Sequence, residues 1–422
     1  MSKPGDSEHD GREGAMSASR RALLVGAGGA FAASLGAPIP FLENLPPGII
    51  PVALAQDQAE LLQLKPGLTL LGDRPIVMET PPHLLDDDLT PAVRFFVRNN
   101  GNPPDVSSVS DETWRVRIDG EVDTELNLSI ADLKRDFEAV TQRLVVECAG
   151  NGRRFYRPSA SGNQWTFGGV GCAEWTGVRL RDVLNRAGVK RSAVYTGHYG
   201  ADQHLSGDPE RNAISRGVPI AKAMDPSTMI AWSMNGADMP ALNGHPLRLI
   251  VPGWPGSCSQ KWLNRIWIRD REHDGEKMTG QSYRVPAYPI APGAPIDDAD
   301  MRIIESMKVK SLITFPRTGV QTNLGRAVEV RGHAWSGDVE VARVDVSMDF
   351  GATWVEAELD EAANRYDWRR FRASLRPPQR GYYEIWARAT DADGVAQPAT
   401  APGWNPHGYL NNQQHRIAVF VR

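Results

Sequence analysis

Residues 143–155 read RLVVECAGNGRRF, and they carry the densest chemistry in this chain of 422 residues. Leu144, Val145 and Val146 form a short apolar run of the kind that becomes a buried strand. Cys148 follows at its end. Gly150 and Gly152 then permit a tight turn and a close approach of backbone to a ligand. Arg153 and Arg154 close the stretch. A thiolate in such a place is a soft metal ligand, and nearby guanidinium groups favour the thiolate over the thiol. The three cysteines, Cys148, Cys172 and Cys258, are an odd number, so at least one cannot pair within the chain. Any one of them, taken singly, reads most simply as a buried core thiol. Cys148 has a setting that argues for more.

Outward from this stretch, length and composition bound the answer. A chain of 422 residues exceeds one average domain, so two are expected. Apolar residues make up 41% and charged residues 23%, the balance of a globular protein. A net charge of -4 lacks the basic excess of a nucleic-acid binder, so no nucleic-acid partner is expected. Residues 1–55 read as a leader rather than as fold. Ser19-Arg20-Arg21-Ala22-Leu23-Leu24 precedes the small apolar run VGAGGAFAASLGA, the pattern of a twin-arginine (Tat) export signal. That run is too short and too glycine-rich to span a membrane, and no span is expected in the mature protein. Cleavage is expected after Ala55, where ALAQ offers a small-x-small site. The Tat route carries folded proteins with cofactor already inserted, so the leader predicts a periplasmic, cofactor-loaded protein. No P-loop or strand-linked G-x-G-x-x-G is present to hold a nucleotide. Asp86-Asp87-Asp88 reads as a solvated acidic loop.

Residues 56–295 alternate short apolar runs with turn residues, and a few helices intervene. SIADLKRDF offers an N-cap at Ser129 and an amphipathic pattern. RLRDVLNRAG ends on Gly188, a residue suited to a helix C-terminus. The reading is a mixed α+β domain. VPAYPIAPGAPIDD, residues 285–298, reads as a linker. Residues 307–422 show strands only, in AVEVRGHAW, EVARVDVSMDFGATW, YYEIWARATDADG and HRIAVFV. Their alternation and the DFG and DADG turns predict an immunoglobulin-like β-sandwich.

The motifs together resemble one family. ECAGNGRRF is similar to the cysteine loop of the sulfite oxidase family of molybdenum enzymes. RFFVRNNGNPP, GNQWTFGGVGCAEWTGVRLRDVL, VPIAKAMDP, MNGADMPALNGHPLRLIVPGWPGSCSQKWLNRIWI and MTGQSYRVP then match the family in order. The resemblance runs from about residue 70 to residue 422, and its nearest branch is the heme-free bacterial, periplasmic sulfite dehydrogenases. It implies an α+β molybdopterin-binding domain followed by an immunoglobulin-like domain through which two copies dimerise. It implies Cys148 as the one protein ligand of a molybdenum atom carried by molybdopterin. For sulfite, a small dianion suited to arginine forks, it nominates Arg98, one of Arg154 and Arg153, and Arg369 of DWRRF in the second domain. Trp165 would wall the substrate pocket, and Tyr283 would serve as the active-site tyrosine. The pterin anchors map to Phe96, Arg98, Asn100, Asp202, Asn243, Arg248, Ser259 and Lys261. Many relatives carry a histidine where this chain has Asn243, which donates and accepts but carries no charge.

Animal members carry a heme domain. None is expected in this chain, so the electrons from sulfite should leave one at a time to an external acceptor, a periplasmic cytochrome c. A rival within the family is a sulfane dehydrogenase acting on carrier-bound sulfur in thiosulfate oxidation. A rival outside it is a non-catalytic protein that binds a partner through the sandwich.

Overall fold

The apolar run before Cys148 does become a buried strand. Ala139–Glu147 pairs antiparallel with Val170–Arg179, which pairs in turn with Met229–Met234. Arg248–Ile250 and Ala237–Asp238 both pair with Met229–Met234. A second sheet runs in the order Leu126–Ser129, Arg115–Gly120, Leu263–Arg269, Tyr195–Gly200, with its two middle strands parallel. Val116, Ile118, Leu133, Val183, Leu184 and Ile266 fill one core cluster beside it. The computed structural model describes residues 62–422, and residues 64–422 form one compact unit. The expected leader, residues 1–55, lies outside the described residues.

Both helices announced by the sequence are present, and both ends have a local cause. Ile130–Asp136 starts in a capping box: Ser129 Oγ accepts from Asp132 N at 3.0 Å, and Asp132 Oδ2 accepts from Ser129 N at 2.9 Å. Replacing Ser129 by alanine removes half of this exchange. A loss of about 1 kcal/mol is expected, read as a lower urea midpoint at unchanged slope. Leu180–Ala187 ends at Gly188, whose φ of 69° lets its N–H reach back to the last turn.

The C-terminal half is a sandwich of two sheets. One holds Lys310–Phe315, Val328–Trp335, Arg369–Leu375 and Glu358–Leu359. The other holds Val320–Thr322, His415–Val421, Gly381–Asp391, Val341–Ser347 and Val355–Glu356. Val330, Val344, Phe371, Ile385 and Val419 pack between them. This is the expected immunoglobulin-like architecture.

Polar side chains stitch the two halves together. Glu147 accepts from Lys310 Nζ at 2.5 Å and from Trp335 Nε1 at 2.8 Å. Lys222 Nζ reaches Asp338 at 2.8 Å and the Tyr366 hydroxyl at 2.7 Å. The acidic run is the loop expected of it, with Asp87 and Asp88 exposed, but two of its carboxylates are engaged. Asp86 accepts from Thr314 Oγ1 at 2.6 Å and Arg331 Nη2 at 2.8 Å, and Asp88 accepts from Arg370 Nε at 2.7 Å. The carboxylates find guanidinium partners that only the folded second half brings. Residues 405–411 cross in the other direction, over the cysteine loop. Leu410 N donates to Ala149 O at 3.0 Å, Asn411 Nδ2 to Gly152 O at 2.7 Å, and Tyr156 OH to Tyr409 O at 2.9 Å.

Three of the four buried histidines among the described residues give the fold its largest histidine pH dependence. Burial pushes His198, His333 and His415 each down to about 3. His415 Nδ1 accepts from Ile313 N at 3.1 Å, a bond that only the unprotonated nitrogen can make. Each is neutral in the folded chain and protonates near 6.5 when unfolded. Their stability contribution is therefore complete above pH 6.5 and is lost as pH falls toward 3, by about 1.4 kcal/mol per histidine for each pH unit. Thermal midpoints measured from pH 7.5 to 5 are expected to fall steadily below 6.5.

Candidate active site

Cys148 is 7% exposed and sits where the Ala139–Glu147 strand stops. Its N–H donates to Gly169 O at 2.8 Å, and its carbonyl accepts from Asn151 N at 2.9 Å. The turn beyond depends on two glycines. At Gly150 a Cβ would stand 2.4 Å from Arg153 Nη2, so the absent side chain is what admits the guanidinium. Gly152, with φ of 94°, makes the left-handed step.

The thiol lines a cleft. Its lining is drawn from segments far apart in sequence: Phe96, Arg98 and Asn100, then Asp202, then Asn243 and Arg248, then Ser259 and Lys261, then Tyr283. Eight of the nine were nominated as cofactor anchors and Tyr283 as the active-site tyrosine, so folding brings these predicted residues to one place. The strand Arg248–Ile250 carries Arg248, whose Nη1 donates to Asn243 O at 2.8 Å and whose guanidinium lies 5.3 Å over the Trp175 ring. Lys261 Nζ donates to Asn99 Oδ1 and, at 2.8 Å, to Leu242 O. Ser259 Oγ accepts from Val251 N at 3.0 Å and so holds the loop.

Sequence reading missed several residues here. Lys277 donates to Asn100 Oδ1 at 3.1 Å. Arg216, fully buried, lies 4.8 Å over the Tyr283 ring and gives Nη1 to Lys277 O at 3.0 Å. Gln260 and Trp262 add to the lining. The one available signal was their nearness in sequence to predicted anchors. Trp262, Lys277 and Tyr283 have φ of 50°, 66° and 51°, three strained non-glycine residues gathered at one cleft, a pattern of functional sites.

The electrostatics are lopsided. Arg98, Arg248, Lys261 and Lys277 stand against a single lining carboxylate, Asp202. Burial pushes Arg248 down to about 9, and burial with Arg98 nearby pushes Lys277 down to about 8. Burial, then repulsion from Arg248, pushes Lys261 well down. Burial raises Asp202, with Lys261 and Lys277 opposing the rise. Such a cleft favours an anion. It also holds buried polar atoms without a protein partner: Arg248 Nε, Ser257 Oγ and Gln260 Oε1 on the lining, and Asn99 Nδ2 beside it. Each costs about 1–3 kcal/mol if left unpaired, so the cleft suits a polar, negatively charged ligand.

Residues 101–277 match the oxidoreductase molybdopterin binding domain, and residues 301–422 match the Mo-co oxidoreductase dimerisation domain. The chain is 33% identical over 366 residues to sulfite oxidase of Gallus gallus, covering 83% of this chain and 77% of that protein. The chain belongs to the sulfite oxidase family of molybdenum enzymes. Mitochondrial sulfite oxidase of Rattus norvegicus is 33% identical over 374 residues, covering 84% of this chain and 66% of that protein. This chain thus spans just under two thirds of the rat protein's length. Among solved structures, the sulfane dehydrogenase SoxCD from Paracoccus pantotrophus superposes with a TM-score of 0.68 at 27% identity, covering 90% of this chain and 96% of that one.

The residues present fit the family's cofactor. Cys148 is the one sulfur on the lining and would ligate the metal, while Arg248, Lys261 and the unpartnered donors and acceptors would take the phosphate and the pterin edges. Three expectations need correction. Arg369 does not reach the cleft: its Nε donates to Asp360 O at 2.8 Å and its Nη1 to Val341 O at 2.9 Å, on a separate cavity of the second half. Arg154 is exposed, and its neighbour Arg153, buried, is spent on His407 O at 2.5 Å and Asn163 O at 2.8 Å. Neither guanidinium lines the cleft. Trp165 stands one ring behind the wall, edge-on to Phe96 at 5.9 Å with its Nε1 unpartnered. What the second half does contribute is Tyr409, stacked on Tyr283 at 5.4 Å and 14°.

Proposed function

We propose that this protein oxidises sulfite to sulfate and passes the two electrons singly to an external acceptor, a cytochrome c. The observation that carries the reading is the pairing of Cys148 with a cation-lined cleft that ends at Tyr283. In this reading the reaction takes sulfite and water to sulfate, two protons and two electrons. The bound molybdenum cofactor supplies the oxygen transfer and the two-electron store. The chain's residues do the rest. Arg98 offers a fixed cation to the incoming dianion, and the Tyr283 phenol can donate to an oxygen at the reacting centre. Arg216 and Tyr409, one on the ring's cationic side and one stacked, hold that phenol in place.

The same reading places the protein in the periplasm after Tat export and pairs two copies through the matched dimerisation domain. The second reading is a sulfane dehydrogenase acting on carrier-bound sulfur, favoured by the likeness to SoxCD. Sulfite-dependent reduction of ferricyanide by the molybdenum-loaded protein separates the two. Rapid turnover at micromolar sulfite supports the first; molybdenum without turnover favours the second. With sulfite as substrate, Arg98→Gln is expected to raise KM at least about tenfold, the loss of one charge-assisted hydrogen bond. An unchanged KM would remove Arg98 from the anion pocket.

A further inference from the structure

Lys65 lies close to the start of the described chain and far in sequence from every residue of the cleft, yet it is 2% exposed. Its ammonium donates to Ala92 O at 2.5 Å, Phe95 O at 3.3 Å and Asn243 Oδ1 at 2.6 Å. That uses all three of its N–H groups. All three acceptors are neutral, and Lys65 forms no ion pair among the described residues. Burial holds it down to about 7. A buried cation without a carboxylate is costly.

Two features connect this cation to the cleft. An ammonium offers no acceptor, so Asn243 must turn Oδ1 toward Lys65. Its amide nitrogen then donates to Phe96 O at 3.1 Å. What remains on the amide is one N–H, together with the second lone pair of an Oδ1 already turned to Lys65. The charge of Lys65 also adds to the field of Arg98 and Arg248 around Lys261.

We propose that Lys65 belongs to the anion holder of the cleft: it sets Asn243 as a donor toward the phosphate of the pterin and supplies from behind the positive charge that Asn243 lacks. The proposal rests on reading the cleft as the pterin site. Lys65 is a positioning residue, acting through Asn243 and through its field.

Lys65→Met keeps the stem and removes charge and donors. The test measures molybdenum and pterin per full-length chain, and the thermal midpoint of the chain with and without cofactor. Wild type is expected to carry both components and to melt higher when loaded. Lys65→Met is expected to carry at least about tenfold less of each, a loss larger than any fall in the cofactor-free midpoint that the three acceptors left without a donor cause. Asn243→Ala is expected to lose a similar amount, and the double variant less than the two single losses combined. Lys65→Gln, which keeps a donor without the charge, is measured alongside and is expected to show the same loss. Normal loading of Lys65→Met, or an equal fall of both midpoints, overturns the proposal and leaves Lys65 a structural clamp. A wild type that holds neither molybdenum nor pterin overturns the reading of the cleft itself.

Discussion

Cys148→Ser is expected to remove sulfite turnover by at least about a thousandfold, while the protein still folds. The reason is the softness of the donor: a serine oxygen is hard and stays protonated, a poor replacement for a thiolate on a soft metal site. The fold should survive because Cys148 is tied in by its backbone, to Gly169 O and from Asn151 N, and neither bond involves the sulfur. One measurement of turnover, one of molybdenum content and one thermal melt decide the matter. Turnover close to wild type would remove Cys148 as the ligand. Loss of the cooperative melt would make the thiol structural instead.

The second large effect concerns the residue just before it. Glu147 is 2% exposed and accepts from three polar neighbours: Lys310 and Asn151 Nδ2, at 2.5 and 3.0 Å, on Oε1, and Trp335 Nε1, at 2.8 Å, on Oε2, while Lys310 also reaches Asn151 O at 3.3 Å. Lys310→Met leaves the carboxylate buried and without its counter-charge. The expected cost is about 3–5 kcal/mol, read from urea unfolding. Glu147→Gln in the same chain should recover most of it, because the amide keeps hydrogen bonds and carries no charge. A double variant as unstable as Lys310→Met would mean that the methionine's packing, and not the orphaned charge, sets the cost. Molybdenum content should fall with Lys310→Met and return with the double variant, since the ion pair anchors the strand that presents Cys148.

The sequence was most informative where a local cause sufficed. The strand before Cys148 is a run of branched apolar residues, and the helix starts and stops lie in Ser129, Asp132 and Gly188. The sandwich was visible in period-two alternation. The cleft was legible only as a set of motifs matched in order, since no spacing within them says that Arg248 and Phe96 meet. Arg369 shows the limit. Residues 368–370 alternate sides of a strand: Trp368 stacks on His333 at 3.9 Å, Arg370 pairs with Asp88 at 2.7 Å, and Arg369 turns to carbonyls of its own half. Nothing in DWRRF tells which side faces the cleft. Lys65, Arg216 and Lys277 were illegible for a related reason: each is a lone cation in sequence, and only tertiary contacts give it a role. The partners of Asp86 and Asp88 were not legible because they lie more than two hundred residues away.

The crossing of residues 405–411 over the cysteine loop sets an order of assembly. A ribosome delivers Cys148 well over two hundred residues before these residues. Until they emerge, the carbonyls of Ala149 and Gly152 lack Leu410 and Asn411, Arg153 lacks His407 O, and Tyr283 lacks the ring of Tyr409. A nascent chain therefore displays its thiol on an unfinished turn. The turn that presents Cys148 is complete only once residues 405–411 have folded over it.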